Sequence, residues 1–216
     1  DGGWLVNGSK VWCSNAALAD FIIVAAKVPG AGGKSEIAMF LVERGAKGLR
    51  IGRKEDKLGA RGVPSCPLFF DDMLVPADAR LGGEGRNGFK GVMEGLNHSR
   101  PIIAARGVGL AQGALDHAAD YVKGRVAFGQ RISDFQGVRW MLADMAIQTE
   151  ASRRLTYHAA SLFDAGVRGT ELASAASIAK CHATDTAMRV ATDAVQLFGS
   201  AGISAEYPIN RYFRDA

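Results

Sequence analysis

Trp12 and Ser14 stand two residues apart in a stretch that reads as β-strand, so period-two alternation puts both side chains on one face. An indole offers a flat apolar wall and a hydroxyl a hydrogen-bond donor, a pairing suited to a planar ligand. Arg125 follows a long Ala-rich helical segment. Its guanidinium has the planar, paired and charged donors that suit phosphate. Each also has a plainer reading: a core tryptophan beside a turn-forming serine, and a solvated arginine. His98, His117, His158 and His182 are scattered, with neither a His-x-x-x-His pair nor a cysteine at ligand spacing, so no metal site is predicted. Cys13, Cys66 and Cys181 are odd in number and far apart, which reads as three reduced thiols.

The elements that must position these residues fall into two kinds. Residues 1–80 read as strands and turns. Asn7-Gly8 between Trp4-Leu5-Val6 and Ser9-Lys10-Val11-Trp12 predicts a hairpin with a type I′ turn. The apolar runs Phe21–Ala26 and Ile37–Val42 read as strands buried on both faces, joined by a loop at Pro29–Lys34, and Leu49–Ile51 and Pro67–Asp71 add further strands. From Gly88 the pattern turns helical. One helix covers 88–123, interrupted or kinked at Pro101. After a connector at 124–134, a second runs from Gln136 to Ala165 with an apolar stripe of Val138, Met141, Leu142, Met145, Leu155, Leu162 and Phe163. A third spans 170–198 with an alanine inner face (Ala176, Ala179, Ala183, Ala187, Ala191, Ala194), and Tyr207-Pro208 opens a fourth. The predicted class is α+β: a small antiparallel β-sandwich or barrel, residues 1–85, followed by an antiparallel four-helix bundle, residues 88–216.

The 216 residues suffice for such a pair of domains. Hydrophobic residues at 48% and charged residues at 22% exclude a disordered chain. The net charge of +4 comes without a basic stripe interleaved with aromatics, Arg153-Arg154 included, so nucleic-acid binding is disfavoured. No apolar run approaches the roughly 20 residues of a membrane span, and the opening Asp1-Gly2-Gly3-Trp4 lacks signal-peptide features. A cytoplasmic protein is expected. The absent initiator Met and the helical reading of 211–216 suggest a piece of a longer protein.

Five segments, in order, carry a resemblance: Gly8-Ser9-Lys10-Val11-Trp12-Cys13-Ser14-Asn15-Ala16; Arg53-Lys54-Glu55-Asp56-Lys57-Leu58-Gly59-Ala60-Arg61; Phe70-Asp71-Asp72-Met73-Leu74-Val75-Pro76; Arg125-Val126-Ala127-Phe128-Gly129-Gln130 with Phe135-Gln136; and Asp193-Ala194-Val195-Gln196-Leu197-Phe198-Gly199-Ser200-Ala201-Gly202 with Tyr207-Pro208 and Arg214-Asp215-Ala216. Together they resemble the acyl-CoA dehydrogenase family, its middle β-domain and most of its C-terminal helical domain. The resemblance implies FAD-dependent α,β-dehydrogenation of an acyl-CoA thioester to the trans-2-enoyl-CoA, with electrons passed to an electron-transfer flavoprotein, in a homotetramer. It implies that Trp12 covers the isoalloxazine ring and that the Ser14 hydroxyl reaches N5. It assigns Arg125, Gln130 and the nearby Phe128 to the FAD pyrophosphate region of a neighbouring subunit. Gln136, Gln196, Gly199 and Ser200 become further FAD contacts, Ser200 standing where the family usually has a second glycine. Asn97, Ser99 and Arg100 fall on the helix that lines the acyl-CoA channel, Arg100 near the thioester, with Asn97 in place of a common Asp. In one branch the catalytic base is a Glu at the position of Ser99, and in the commoner branch it lies shortly after the Arg-Asp-Ala segment. No residue of this chain is therefore expected to be the base, and Glu206 is assigned a structural role at a helix N-terminus. The alternatives are an acyl-CoA oxidase-like flavoenzyme and a non-catalytic flavin-binding paralogue.

Overall fold

The computed structural model describes residues 2–30, 33–83 and 88–216. Ala31-Gly32 of the predicted loop, and residue 85 where the first predicted domain ends, lie outside them. The chain divides into two compact units, Asp1–Gly95 and Leu96–Ala216.

The first unit holds two antiparallel sheets. Strands β1 (Gly3–Ser14), β5 (Ser65–Pro76) and β4 (Leu49–Ile51) form one in the order β1-β5-β4, and β2 (Phe21–Pro29) pairs with β3 (Ser35–Glu43) in the other. Their inner faces share one core: Val6, Leu68, Phe70 and Met73 from the first sheet meet Val24, Val28, Phe40 and Val42 from the second. The apolar runs of β2 and β3 are buried on one face only. Phe21 is 59% and Ile23 56% exposed while Val24 is buried, so the expectation of two buried faces fails. An unbroken apolar run cannot by itself distinguish a strand covered on both sides from one whose outer side chains are also apolar.

The predicted hairpin at Asn7-Gly8 is also corrected. β1 runs straight through it, paired with β5 on both sides, and the register slips between Val6 and Gly8. The Asn7 side chain bridges this bulge to the opposite strand. Its Nδ2 donates to Asp72 Oδ1 at 3.0 Å, and its Oδ1 accepts from the Asp72 backbone N–H at 2.8 Å. Gly8 has φ 137° and Asp72 φ 47°, so the permissive dihedrals that suggested a turn serve a strand irregularity. Gly48 (φ 92°) abuts the same place, where a Cβ would lie 2.6 Å from the Asp71 carbonyl oxygen. A second slip, between Lys10 and Cys13, puts Trp12 at φ 57°.

The second unit is helical. Helix α1 (Gly88–Gly124) begins in the first unit and continues through Pro101 without the predicted interruption. Proline lacks the N–H that the Asn97 carbonyl would otherwise accept from, yet the helix is carried by its packing. α2 (Gln136–Asp164) and α3 (Thr170–Phe198) follow, then the short α4 (Ile209–Asp215). The alanine face of α3 is buried as the spacing predicts. It admits α1 so closely that a Cβ on Gly107 would lie 2.8 Å from the Ala183 carbonyl oxygen. The buried face of α2 is more polar than predicted: Met145, Thr149, Ser152, Thr156 and Ala159. The hydroxyls are satisfied within the helix. Thr149 Oγ1 donates to Met145 O, Ser152 Oγ to Gln148 O and Thr156 Oγ1 to Ser152 O, so burial leaves no donor unpaired.

Two stability predictions follow from this packing. Asn7→Ala removes both cross-strand hydrogen bonds at the bulge and should lower the stability of the β unit by about 1–2 kcal/mol in urea unfolding; an unchanged midpoint would mean that the ladder alone holds the bulge. Gly107→Ala should destabilise the helical unit by about 1–3 kcal/mol, read from thermal unfolding, because the neighbour it meets is backbone.

Candidate functional site

In the β unit, the second bulge sets the presentation of Trp12. A left-handed dihedral on a non-glycine residue costs about 1–2 kcal/mol, and here it buys no burial, since the indole is 61% exposed. Around this bulge Trp12 and Ser14 are both exposed, while Cys13 between them is half-buried against the core. Ser14 lies beyond the bulge, register-paired with Ser65.

In the helical unit the connector after α1 is a hairpin. β6 (Val126–Ala127) pairs with β7 (Gln130–Arg131) across Phe128-Gly129, whose φ values of 55° and 81° are those of a type I′ turn. The turn type expected at Asn7-Gly8 thus occurs at Phe128-Gly129. Phe128 is 94% exposed, with its ring edge-on to Phe135 at 6.3 Å. Arg125 is anchored through its backbone only: its N–H donates to Tyr121 O, and its carbonyl accepts from Ile132 N–H. Among the described residues, the side chains of Arg125, Gln130, Gln136 and Gln196 meet no hydrogen-bonding or ionic partner.

The end of α3 is held against the end of α1. Tyr121 stacks on Phe198 with centroids 4.0 Å apart and planes 13° from parallel, and its hydroxyl donates to the Phe198 carbonyl at 3.4 Å. Tyr207 meets both rings edge-on. Val122, Ile132, Val138, Leu197 and Phe198 belong to one apolar cluster, so α1 ends, α2 begins and α3 ends at the same end of the bundle. Arg125, Phe128, Gln130, Gln136, Gln196, Gly199 and Ser200 therefore share that end. Gly199 has φ 60° and nothing within 4 Å of where a Cβ would sit, leaving its backbone open. The aromatic trio that fixes this end went unread in the sequence. Three aromatics far apart in the chain carry no local signal, since only the antiparallel return of α3 brings them together.

Asn97, Ser99 and Arg100 lie on the opposite half of α1, beside the end of α2, where His98 meets Phe163 edge-on at 4.6 Å. Arg100 Nη1 donates to Asn97 Oδ1 at 2.6 Å, and Ser99 Oγ donates to the Leu96 carbonyl at 3.0 Å. Helical rise separates Arg100 from Arg125 by about 37 Å. The two groups of expected site residues are thus brought to opposite ends of one bundle.

The comparisons decide the family. The residues match the family model for the acyl-CoA dehydrogenase middle domain over 1–73 and that for the C-terminal domain over 86–216. The chain belongs to the acyl-CoA dehydrogenase family. It is 45% identical over 213 residues to a probable acyl-CoA dehydrogenase of Mycobacterium tuberculosis, covering 99% of this chain and 54% of that one. Butyryl-CoA dehydrogenase from Megasphaera elsdenii has a similar structure, with a TM-score of 0.92 and 42% identity over 99% of this chain and 55% of that one. So does a chain in a structure described as the electron transferring flavoprotein of Acidaminococcus fermentans, with a TM-score of 0.91 and 43% identity over 98% of this chain and 55% of that one. The chain spans about half the length of the curated relatives it matches. No helix among the described residues is long and apolar enough to cross a membrane, and no group of three or more His, Cys, Asp and Glu among them could hold a metal ion.

One acid in this acyl-CoA dehydrogenase segment is perturbed. Burial pushes the Asp193 carboxyl above its ordinary value; the Arg189 guanidinium pulls it back down and the Asp144 carboxylate adds to the rise. An acid whose pKa is raised by folding favours the folded state while protonated and loses that contribution as pH rises through the folded value. Asp193→Asn should therefore stabilise the helical unit at neutral pH. The advantage should vanish as pH falls below the ordinary carboxylate range, where Asp193 is protonated folded or unfolded. Parallel melting curves across pH check this, and a stabilisation independent of pH would refute the electrostatic account.

Proposed function

We propose that the protein is an FAD-dependent acyl-CoA dehydrogenase that converts an acyl-CoA thioester to the trans-2-enoyl-CoA and passes the electrons to an electron-transfer flavoprotein. The observation that carries this reading is the set of exposed, unpartnered donors gathered at one end of the bundle. A guanidinium and three amides left free beside an open glycine backbone form a donor set that suits a dinucleotide. Arg125 and Gln130 would hold the pyrophosphate, with Phe128 packing alongside, and Gln136, Gln196, Gly199 and Ser200 would make the remaining contacts. In the β unit the exposed Trp12 would supply the apolar wall over the flavin ring and Ser14 a hydroxyl donor. Bound flavin supplies the hydride acceptor.

The separation of about 37 Å along α1 supports an assembly in which one copy's hairpin serves a neighbour's cofactor, and a homotetramer is the proposed state. At the other end of the helix, Arg100 is oriented by Asn97. Asn97 holds the guanidinium by a neutral hydrogen bond, so no carboxylate at that position offsets its attraction for an acyl-CoA. Ser99 already donates its hydroxyl to the helix and carries no carboxylate. The base that removes the α-proton is therefore proposed to come from a carboxylate outside these 216 residues. Glu206 is exposed and precedes α4, where its charge suits a helix start.

The test is anaerobic addition of straight-chain acyl-CoAs to the flavin-loaded, full-length protein. Bleaching of the flavin band, with slow return in air, is expected; fast return would indicate an oxidase, and a protein that takes up no flavin would overturn the reading. Arg125→Ala should weaken FAD retention by about 1.5–3 kcal/mol, roughly 10- to 100-fold in Kd. Arg153→Ala should leave it unchanged, because Arg153 is engaged with Glu150 and Gln112. Equal retention in both variants would remove Arg125 from the cofactor site.

A further inference from the structure

We propose that Cys13 and Cys66 form an oxidisable thiol pair that closes to a disulfide when the protein meets a hydroperoxide. The two are direct register partners across β1 and β5, and both thiols are free. Facing residues of an antiparallel pair place their Cβ atoms about 4.5–5.5 Å apart, and a disulfide needs about 3.5–4.5 Å. Closure therefore asks for about 1 Å of approach. The strand can give at that place, because Cys13 adjoins the bulge at which the register slips and Trp12 takes its left-handed dihedral.

The two thiols differ in accessibility. Cys66 is buried and Cys13 half-buried, so an oxidant reaches Cys13 first. At rest the Cys13 thiol points its proton toward the Val11 carbonyl, 3.8 Å away. Burial raises its pKa, Lys10 lowers it and Cys66 raises it further, so the thiolate fraction is small and the reaction with peroxide is slow. The chemistry balances in two steps. Cys13 Sγ attacks one oxygen of hydrogen peroxide, its thiol proton leaves with the departing hydroxyl as water, and a sulfenic acid remains; an organic hydroperoxide would release the alcohol instead. Cys66 Sγ then attacks the Cys13 sulfur, the S–O bond breaks, and the hydroxyl leaves with the Cys66 proton as a second water. Two thiols are oxidised and one peroxide is reduced.

The crosslink would lie between Trp12 and Ser14 and pin the bulge that presents the indole. An effect on flavin binding rests on the function proposed above; the disulfide itself does not. The experiment uses the flavin-loaded, full-length Cys181→Ser variant, which removes the exposed third thiol. It is exposed to hydrogen peroxide while folded, then denatured in excess alkylating agent and mapped by mass spectrometry. The expected result is a peptide joining Cys13 to Cys66, lighter than its two reduced parts by two hydrogens. It should be lost on treatment with a phosphine reductant and absent from Cys66→Ser. Recovery of Cys66 in alkylated form, with Cys13 either alkylated or oxidised to the sulfinic acid, would overturn the pairing. Flavin retention measured on the same samples separates failure of the crosslink from failure of the flavin reading.

Discussion

The stack of Tyr121 on Phe198 is the contact on which the geometry of the helical unit's candidate cofactor surface depends. It joins the last turn of α1 to the last turn of α3, and Tyr207 closes over both rings. Arg125 follows Tyr121 by one helical turn and hydrogen-bonds to its carbonyl, while Gly199 follows Phe198 directly. A single aromatic contact, worth about 0.5–1.5 kcal/mol beyond the area it buries, thereby sets the spacing between a cationic hairpin and an open glycine backbone. The alanine face of α3 makes this possible further along the bundle, because small side chains let α1 and α3 approach to backbone contact at Gly107.

The β unit uses a different device. Its sheets could have been plain ladders, yet β1 carries two bulges. The first is stabilised from within the sheet, by the reciprocal hydrogen bonds of Asn7 with Asp72 and by the close approach of Gly48. The second is not repaid by burial, since the residue that carries the unfavourable dihedral is an exposed tryptophan. Strain of that kind persists where the surrounding strands over-determine it.

Membership of the acyl-CoA dehydrogenase family gives these separate features a common reading. The exposed indole, the free guanidinium and the free amides are each unremarkable as surface groups. In the helical unit, Arg125 and Arg100 are separated by about 37 Å of helical rise along α1.

The helical half was legible in the sequence because its signals are local. The spacing of alanines in α3 and Tyr207-Pro208 before α4 both act within a few turns of chain. The motif residues were legible through family resemblance, which named Trp12, Arg125 and the rest without placing them. What misled was the same local chemistry read without its partner strand. Asn7-Gly8 offers the dihedrals of a turn, and only the presence of Asp72 across the sheet makes it a bulge; Phe128-Gly129 lacked an asparagine signal and is the turn. Likewise, alternation gave no sign of the slip between Lys10 and Cys13, where Trp12 takes its left-handed dihedral. The sequence by itself determined most of the segments that are helix or strand, because periodicity and turn chemistry act locally. Register, the two bulges and the joining of the ends of α1, α2 and α3 were decided by tertiary structure, because each depends on a partner that is distant in the chain and adjacent only after folding.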